Sequence, residues 1–248
     1  MVNMPLKCPH CESQDVGKFG ASAVGKQRYI CRNKDCKKTF QADCSRKGYR
    51  PQTRSDIYFL TVNGNGIRAI SRIPGISRGK VSSTLRGFEP ELWRVNHACL
   101  ESLAGKPLEI ETASGTEAEM DEMRSFVRDK SRQRWLWRAI DHKTGAPLAF
   151  CFGSRKSDNL DRLLELLKPF NVTKAHADRN PAYASRIPAE ELEAGKLGTQ
   201  RIERLHLSLR AWRSRLAHKG IRFSKRRDMR EIVVALVINF WFFCRVLV

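Results

Sequence analysis

The stretch EAEMDEM, residues 117–123, places acids and apolar side chains in near-alternation, and two more extended runs follow, QRWLWRAID (133–141) and APLAFCFG (146–153). A period of two sends successive side chains to opposite faces of a strand, so these segments are predicted to be three neighbouring strands. SDNLDRLLELLKPF (157–170) changes the period: apolar residues fall at 160, 163, 164, 166 and 167, with Ser157 as the expected N-cap, which predicts a helix with one buried face. NVTKAHAD (171–178) reads as a fourth strand. Two long helices are predicted after it, over about 199–218 and about 228–245.

Three strands, a helix, a strand and then helices make a mixed α/β layout. That order is the one expected of a ribonuclease H-like domain, here assigned to residues 117–248. Within it, Asp121 lies in the first strand, Asp178 ends the fourth, and Glu203 falls in the first turns of the next helix. Ligands of open α/β sheets gather at strand C-termini, so the three acids are predicted to converge. Clustered carboxylates repel one another unless a cation sits among them. Mg²⁺ takes a few carboxylates plus substrate phosphate, and a pair of such ions can serve both the attacking and the leaving oxygen of a phosphodiester. On the Glu203 helix, Ile202, Leu205, Leu209, Trp212 and Leu216 form the expected buried stripe. Glu203, His206, Arg210 and Arg213 share an adjacent face, where the basic groups are expected to hold DNA phosphates.

The N-terminal part carries a different chemistry. Cys8-x2-Cys11 and Cys31-x4-Cys36 flank a segment with a Gly/Ser/Ala centre, which predicts a zinc ribbon over residues 1–46 with four thiolates around a structural Zn²⁺. Cys44 is an alternative fourth ligand. A segment this short has too little core to fold without such a staple. Residues 53–87 then break into three short helical pieces, with Ser77 as an N-cap, and 50–88 are expected to form a helix-turn-helix domain. Arg78 and Lys80 at the start of its last helix and Arg86 near the end are the expected DNA contacts. Residues 89–116, polar and holding Pro90 and Pro107, are expected to be a linker.

Charge agrees with a polyanionic partner. The 248 residues hold 46 Lys or Arg against 26 Asp or Glu, a net charge of +20. It sits at the two ends: +11 over residues 1–100, zero over 101–200 and +9 over 201–248. The start MVNMPLKCPHC has no apolar signal core, which with eight cysteines predicts reduced thiols and a cytoplasmic protein. The apolar run Ile232–Cys244, interrupted by Asn239, is shorter than the roughly 20 residues a membrane span needs and is expected to be a buried helix.

AEMDEM (118–123), SRQRWLW (131–137), LLELLKPF (163–170), ADRNPAY (177–183) and TQRIERLHLSLR (199–210) resemble the transposases of the bacterial insertion sequence 1 family. The early CPHC…QRYICRNKDCKKTF also resembles that family's N-terminal half, so the likeness runs through nearly the whole chain. It implies an Asp-Asp-Glu transposase with Asp121, Asp178 and Glu203 as the catalytic, metal-holding triad and Mg²⁺ or Mn²⁺ as cofactor. It further implies that Arg210 contacts DNA, that the ribbon and the helix-turn-helix recognise terminal inverted repeats, and that target DNA is the second substrate. The protein is then expected at the bacterial nucleoid, as a homodimer or higher oligomer, because two element ends are cut together. The run NFWFFCRVLV is more apolar than the resemblance leads one to expect, and an oligomer contact or a diverged tail is the expected reason.

Overall fold

The computed structural model describes residues 6–23, 25–42, 47–104, 115–212, 216 and 224–248. Its contacts divide the chain into two compact units, Met1–Thr53 and Arg54–Val248.

The first unit is built on β1 (Val16–Ala21), β2 (Gln27–Cys31) and β3 (Thr39–Phe40), an antiparallel three-stranded sheet. Two turns carry the cysteines, and they share one design. In Cys8–Glu12 the amide of Glu12 donates to the Cys8 carbonyl, and in Asn33–Lys37 the amide of Lys37 donates to the Asn33 carbonyl. Each turn ends left-handed, at Glu12 (φ 59°) and Lys37 (φ 47°). Asn33 thus stands where Cys8 stands in the first turn. Its Oδ1 accepts from the Asp35 amide just as Cys8 Sγ accepts from the His10 amide. The second ligand pair is spaced more widely because Cys31 is supplied by the end of β2, two residues before the turn begins.

In the second unit, α1 (Gln52–Val62), α2 (Ile67–Arg72) and α3 (Arg78–Gly87) come first, α3 being capped by Ser77, whose Oγ accepts from the Lys80 amide. After α4 (His97–Ala104) comes a sheet of β4 (Thr116–Val127), β5 (Asp129–Asp141), β6 (Pro147–Gly153), β7 (Val172–Ala177) and β8 (Leu192–Ala194), in the order β6-β5-β4-β7-β8. β5 pairs antiparallel with both β4 and β6, while β7 and β8 run parallel to β4. β4 and β5 are longer than the sequence pattern indicates and join at Arg128, at φ 70°. Between the strands lie α5 (Ser157–Leu167) and the single-turn α6 (Pro181–Ala184), and α7 (Gln200–Trp212) and α8 (Arg227–Trp241) close the chain. Ser157 is the first helical residue of α5 rather than its cap; Lys156 holds the extended N-cap conformation.

One sheet face packs against α5 and α6: Leu160, Leu163, Leu167 and Tyr183 meet Met120, Trp137, Ala139 and Cys151. The other packs against α7 and α8, with Leu209, Val234, Val237 and Ile238 on Met123, Leu136, Phe150 and Phe152. The far side of α8, Met229, Ile232, Val233 and Leu236, packs against Ile57, Tyr58, Ile70, Val81 and Leu85 of the first three helices. A helix buried on both sides has no polar face to show, which explains its nearly unbroken apolar run. The aromatic C-terminus belongs to these same cores: Phe243 and Leu247 are buried and the Tyr58 hydroxyl donates to the Arg245 carbonyl. Phe243 and Leu247 thus find their packing partners within the chain, while Trp241, Val246 and Val248 stay exposed. Among the described residues no helix is long and apolar enough to cross a membrane.

The segment expected to be a linker is built into the sheet edge. Val95 bridges Ala149, the Phe150 amide donates to the Arg94 carbonyl, and the Asn96 amide donates to the Leu148 carbonyl. These bonds cover the open edge of β6, and Val95, Cys99 and Leu100 pack onto the core beyond it. Residues 105–114 of that stretch, and Cys44 of the alternative zinc ligation, lie outside the described residues.

Candidate active site

The thiols of Cys8, Cys11, Cys31 and Cys36 all lie within 4.8 Å of one another. Cys8 and Cys36 are separated by 3.8 Å and Cys11 and Cys31 by 3.5 Å. Four sulfurs about 2.3 Å from one tetrahedral ion stand roughly 3.8 Å apart, so the set fits zinc. Burial pushes the Cys31 thiol up to about 12. Cys8 is also buried, but the amides of His10 and Cys11 outweigh that and bring it to about 7. Four sulfurs this close do not ionise together without a cation to neutralise them.

In the second unit β7 stops at Ala177 while β4 runs on to Val127, and their last paired residues are His176 and Glu119. Just past that point the edge of β4 is left open on one side, and there Asp121, Glu122 and Asp178 bring carboxylate oxygens within 4.8 Å of one another. The parallel strand's C-terminal end is where such sheets bind ligands. Asp121 and Asp178 are half-buried. Of the three acids expected to converge, Asp121 and Asp178 lie together here and the third does not join them. Glu203 is exposed on α7, with Thr199 Oγ1 3.4 Å from its Oε1, and does not belong to the cluster.

Glu122 is the acid that the sequence reading missed. It is adjacent to Asp121 and therefore turned to the opposite face, where its oxygens are already engaged. Oε1 accepts from Asn180 Nδ2 at 2.8 Å and from Arg155 Nε at 3.3 Å, and Oε2 accepts from the Tyr183 hydroxyl at 3.0 Å. Burial, then the nearby charge of Asp178, raises its carboxyl above the ordinary value. Burial and the Glu122 charge hold Tyr183 well above the usual phenol range, so it remains a donor. Asn180 also gives its own amide to Asp178 Oδ1 and accepts from the Ala182 amide to cap α6. Glu122 thus clamps the loop that presents Asp178.

On the other face, Asp121 Oδ2 lies 3.0 Å from His206 Nδ1, and its Oδ1 accepts from the Glu122 amide at 2.8 Å. His206, expected to face phosphates beside Glu203, is instead buried, at 4% exposure. Helical spacing explains this: 202, 206 and 209 fall on one face as readily as 202, 205 and 209, and Leu205 is only half-buried. Burial lowers the His206 pKa below its ordinary value. Arg138 stands opposite Asp121 on β5, wholly buried, its guanidinium 4.6 Å from the Phe242 ring. Burial brings Arg138 to about 10, against the pull of Asp121, and it remains a cation at neutral pH. Arg210 is half-buried with no partner for its Nε, and Arg213 lies outside the described residues.

A second cluster, Glu117, His142 and His176, lies lower on the same strands. The two imidazoles stack at 4.0 Å with 17° between planes, so their lone pairs run side by side instead of converging on one ion. Each donor has a carboxylate instead: His176 Nε2 is 3.0 Å from Glu117 and His142 Nδ1 is 3.0 Å from Glu119. The other oxygen of Glu119 accepts from the Ile202 amide in the first turn of α7. Near α3, Arg78 is exposed, Lys80 is half-buried, and Arg86 pairs with Asp228 of α8 at 3.2 Å.

One unit of the chain carries a four-thiolate ribbon and the other an α/β sheet with acids at a strand end, and comparison with known proteins assigns this pairing to insertion-element transposases. A family model described as IS1 transposase matches residues 116–244, and one described as InsA N-terminal domain matches residues 1–37. The chain belongs to the IS1 transposase family. It is 43% identical over 121 residues to the insertion element iso-IS1n protein InsB of Shigella dysenteriae, covering 49% of this chain and 92% of that one. It is 41% identical over 122 residues to the IS1 protein InsB of Shigella sonnei, covering 49% and 93%. The intasome of simian T-cell lymphotropic virus in complex with PP2A regulatory subunit B56 gamma gives a TM-score of 0.34 at 13% identity, covering 74% of this chain and 67% of that one, too low to bear on the fold.

Proposed function

We propose that the protein binds the terminal inverted repeats of an insertion element, cuts the DNA at the element's ends and joins those ends to target DNA, using Asp121, Asp178 and Glu203. The observation that carries this reading is the meeting of Asp121 and Asp178 at the open edge of β4. The strand order, three antiparallel strands followed by two parallel ones, supports a ribonuclease H-like unit. Glu203 stands outside the acidic cluster. It sits on α7 between two residues tied to β4, Ile202 and His206, with an exposed carboxylate.

Asp121 and Asp178 offer hard oxygen donors, half-exposed and with lone pairs left over, which suits Mg²⁺ or Mn²⁺. The bound ion supplies Lewis-acid polarisation of the phosphodiester and a more acidic attacking water. The protein's own groups orient and hold. Asp121 and Asp178 would hold that ion, and through it the reacting phosphate, at the strand end, and Glu203 would hold a second ion or orient the incoming water. Arg210 and Arg213 grip flanking phosphates. Water oxygen attacks phosphorus, the bond to the 3′ oxygen breaks, and a free 3′ hydroxyl is left. That hydroxyl then attacks a target phosphodiester and displaces the target's own 3′ oxygen.

The ribbon and a helix-turn-helix formed by α2 and α3, with Arg78, Lys80 and Arg86, recognise the ends. Two chains act together, at the bacterial nucleoid in the cytoplasm. A second reading, a DNA-binding regulator with an idle nuclease-like unit, is favoured by the position of Glu203 outside the acidic cluster. Labelled end fragments separate the two. Asp121→Asn is expected to bind ends as wild type does while cleavage and joining fall about a thousandfold or more, the loss of several kcal/mol of transition-state stabilisation. Unchanged strand transfer by that variant rejects the catalytic assignment.

A further inference from the structure

We infer that His206 is a positioning residue for Asp121, donating Nδ1–H to Oδ2 from beneath α7 and so fixing which lone pairs of that carboxylate are left for the reaction. The inference rests on the transposase reading and deepens it.

A carboxylate only accepts, so the 3.0 Å contact requires the proton on Nδ1. The other ring nitrogen, Nε2, is buried and has no hydrogen-bond partner. A second N–H there would be a stranded donor beside the buried cation Arg138, whereas a bare nitrogen costs less. One tautomer is therefore selected by the surroundings. With His206 on Oδ2 and the Glu122 amide on Oδ1, each oxygen of Asp121 carries one fixed donor. The carboxylate has a single orientation, with its remaining lone pairs free for Asp178's side.

The same contact sets the helix. Glu119 and Asp121, two residues apart on β4, take residues 202 and 206 of α7, four residues apart. Two strand residues span about 6.7 Å and four helical residues rise about 6.0 Å, so the repeats match and α7 runs beside β4 in register. Glu203 lies between the two contacts. His206 thereby fixes where Glu203 stands along β4 as well as how Asp121 is turned.

The test uses the full-length, zinc-loaded protein. His206→Leu keeps the bulk and removes the donor, whereas His206→Asn returns an N–H near the Nδ1 position. Binding of Mn²⁺ alone, without DNA, is read by electron paramagnetic resonance, and kcat and KM are read on labelled end DNA. His206→Leu is expected to weaken Mn²⁺ binding and lower kcat by about ten- to a hundredfold, as for other groups that hold a metal ligand in place, with KM within about twofold. His206→Asn is expected to recover most of both. Mn²⁺ affinity unchanged in His206→Leu, or His206→Asn as defective as His206→Leu, overturns the inference. Should His206→Leu not fold, ¹⁵N resonances of the wild-type ring decide: a protonated Nδ1 with bare Nε2 upholds it, and the opposite tautomer overturns it. A wild-type protein that neither binds Mn²⁺ nor cleaves ends overturns the transposase reading instead, and the tautomer still reports on the contact.

Discussion

Each unit of the protein gathers ligand side chains within a few ångströms, four thiols in the first and three carboxylates in the second, and the two clusters are finished differently. Around the thiols the geometry is closed. The sulfur spacings already suit one tetrahedral ion, two of the four cysteines are buried, and no coordination position is left over. Around the carboxylates the geometry is open. One acid, Glu122, is consumed by three donors, while Asp121 and Asp178 remain half-buried with lone pairs to spare. Closed sites hold a fold together and open ones admit a reactant. The difference lies less in the ligating residues than in the neighbours that use up, or leave free, their remaining valences.

The largest effect that tests this contrast is removal of zinc. A structural zinc site is worth on the order of 10 kcal/mol of folding free energy, and a sheet of β1, β2 and the two-residue β3 has little core to replace it. Chelation, or Cys8→Ser, is expected to unfold residues 6–42 and abolish end binding, while the second unit keeps its cooperative melt. Amide exchange read unit by unit checks this. A ribbon that stays protected without zinc rules out a fold-holding metal at the thiol cluster.

The sequence made the ribbon and the sheet legible for local reasons. In 117–123 the alternation arises because Ala118 and Met120 pack under α5 while Glu119 and Asp121 turn to the other face and bond α7, and thiol spacing is enforced by a turn that recurs even where Asn33 replaces a cysteine. What stayed hidden depends on contacts between distant segments. Glu122 carries no signal beyond its place next to Asp121, because its partners Asn180 and Tyr183 are about sixty residues away. His206 looks polar in a helix whose buried face is set by Asp121 and Glu119 on another element. Residues 94–96 look like linker because the groups they pair with are the backbone of β6. The separation of Glu203 from the two aspartates could not be read from spacing, since its three-dimensional position is set by the register of α7 on β4.

An intermediate effect is expected from Glu122→Gln, which separates a clamp from a ligand. Gln keeps its carbonyl oxygen as the acceptor for Asn180, and its amide N–H donates to the Tyr183 hydroxyl, which then accepts, so end cleavage should stay within about tenfold of wild type, far from the loss expected for Asp121→Asn. Stability should move the other way. Because the folded-state pKa of Glu122 is raised, the wild type gains from protonation below the unfolded pKa and loses that gain as pH rises through the folded value. With zinc present and magnesium absent, Glu122→Gln is expected to melt above wild type at pH 8, the gap closing as pH falls toward the ordinary carboxylate range. A melting temperature lower than wild type at pH 8 contradicts the burial argument, and loss of cleavage as deep as in Asp121→Asn makes Glu122 a third ligand.

The smallest expected effect concerns the seam between α3 and α8. Asp228 accepts from Arg86 at 3.2 Å and from Arg226 at 3.0 Å, and it lies in the first turn of α8, where a negative charge is favoured. Burial works against its charge, but Arg226, the Met229 amide and Arg86 prevail and hold its pKa below the ordinary value. A lowered carboxylate pKa gives stability above the unfolded value that is lost as pH falls through the folded one. Asp228→Asn is therefore expected to cost about 0.5–1 kcal/mol at pH 7 by denaturant titration, the partners being more than a third exposed, a cost that shrinks as pH falls below the ordinary carboxylate range. The same change frees Arg86. If Arg86 contacts end DNA, the freed guanidinium should tighten binding and steepen its salt dependence by up to about one phosphate contact. If binding is instead unchanged while stability drops, Arg86 serves to fasten α3 onto α8, and the end-reading surface must be sought at Arg78 and Lys80, about two turns toward the start of the helix.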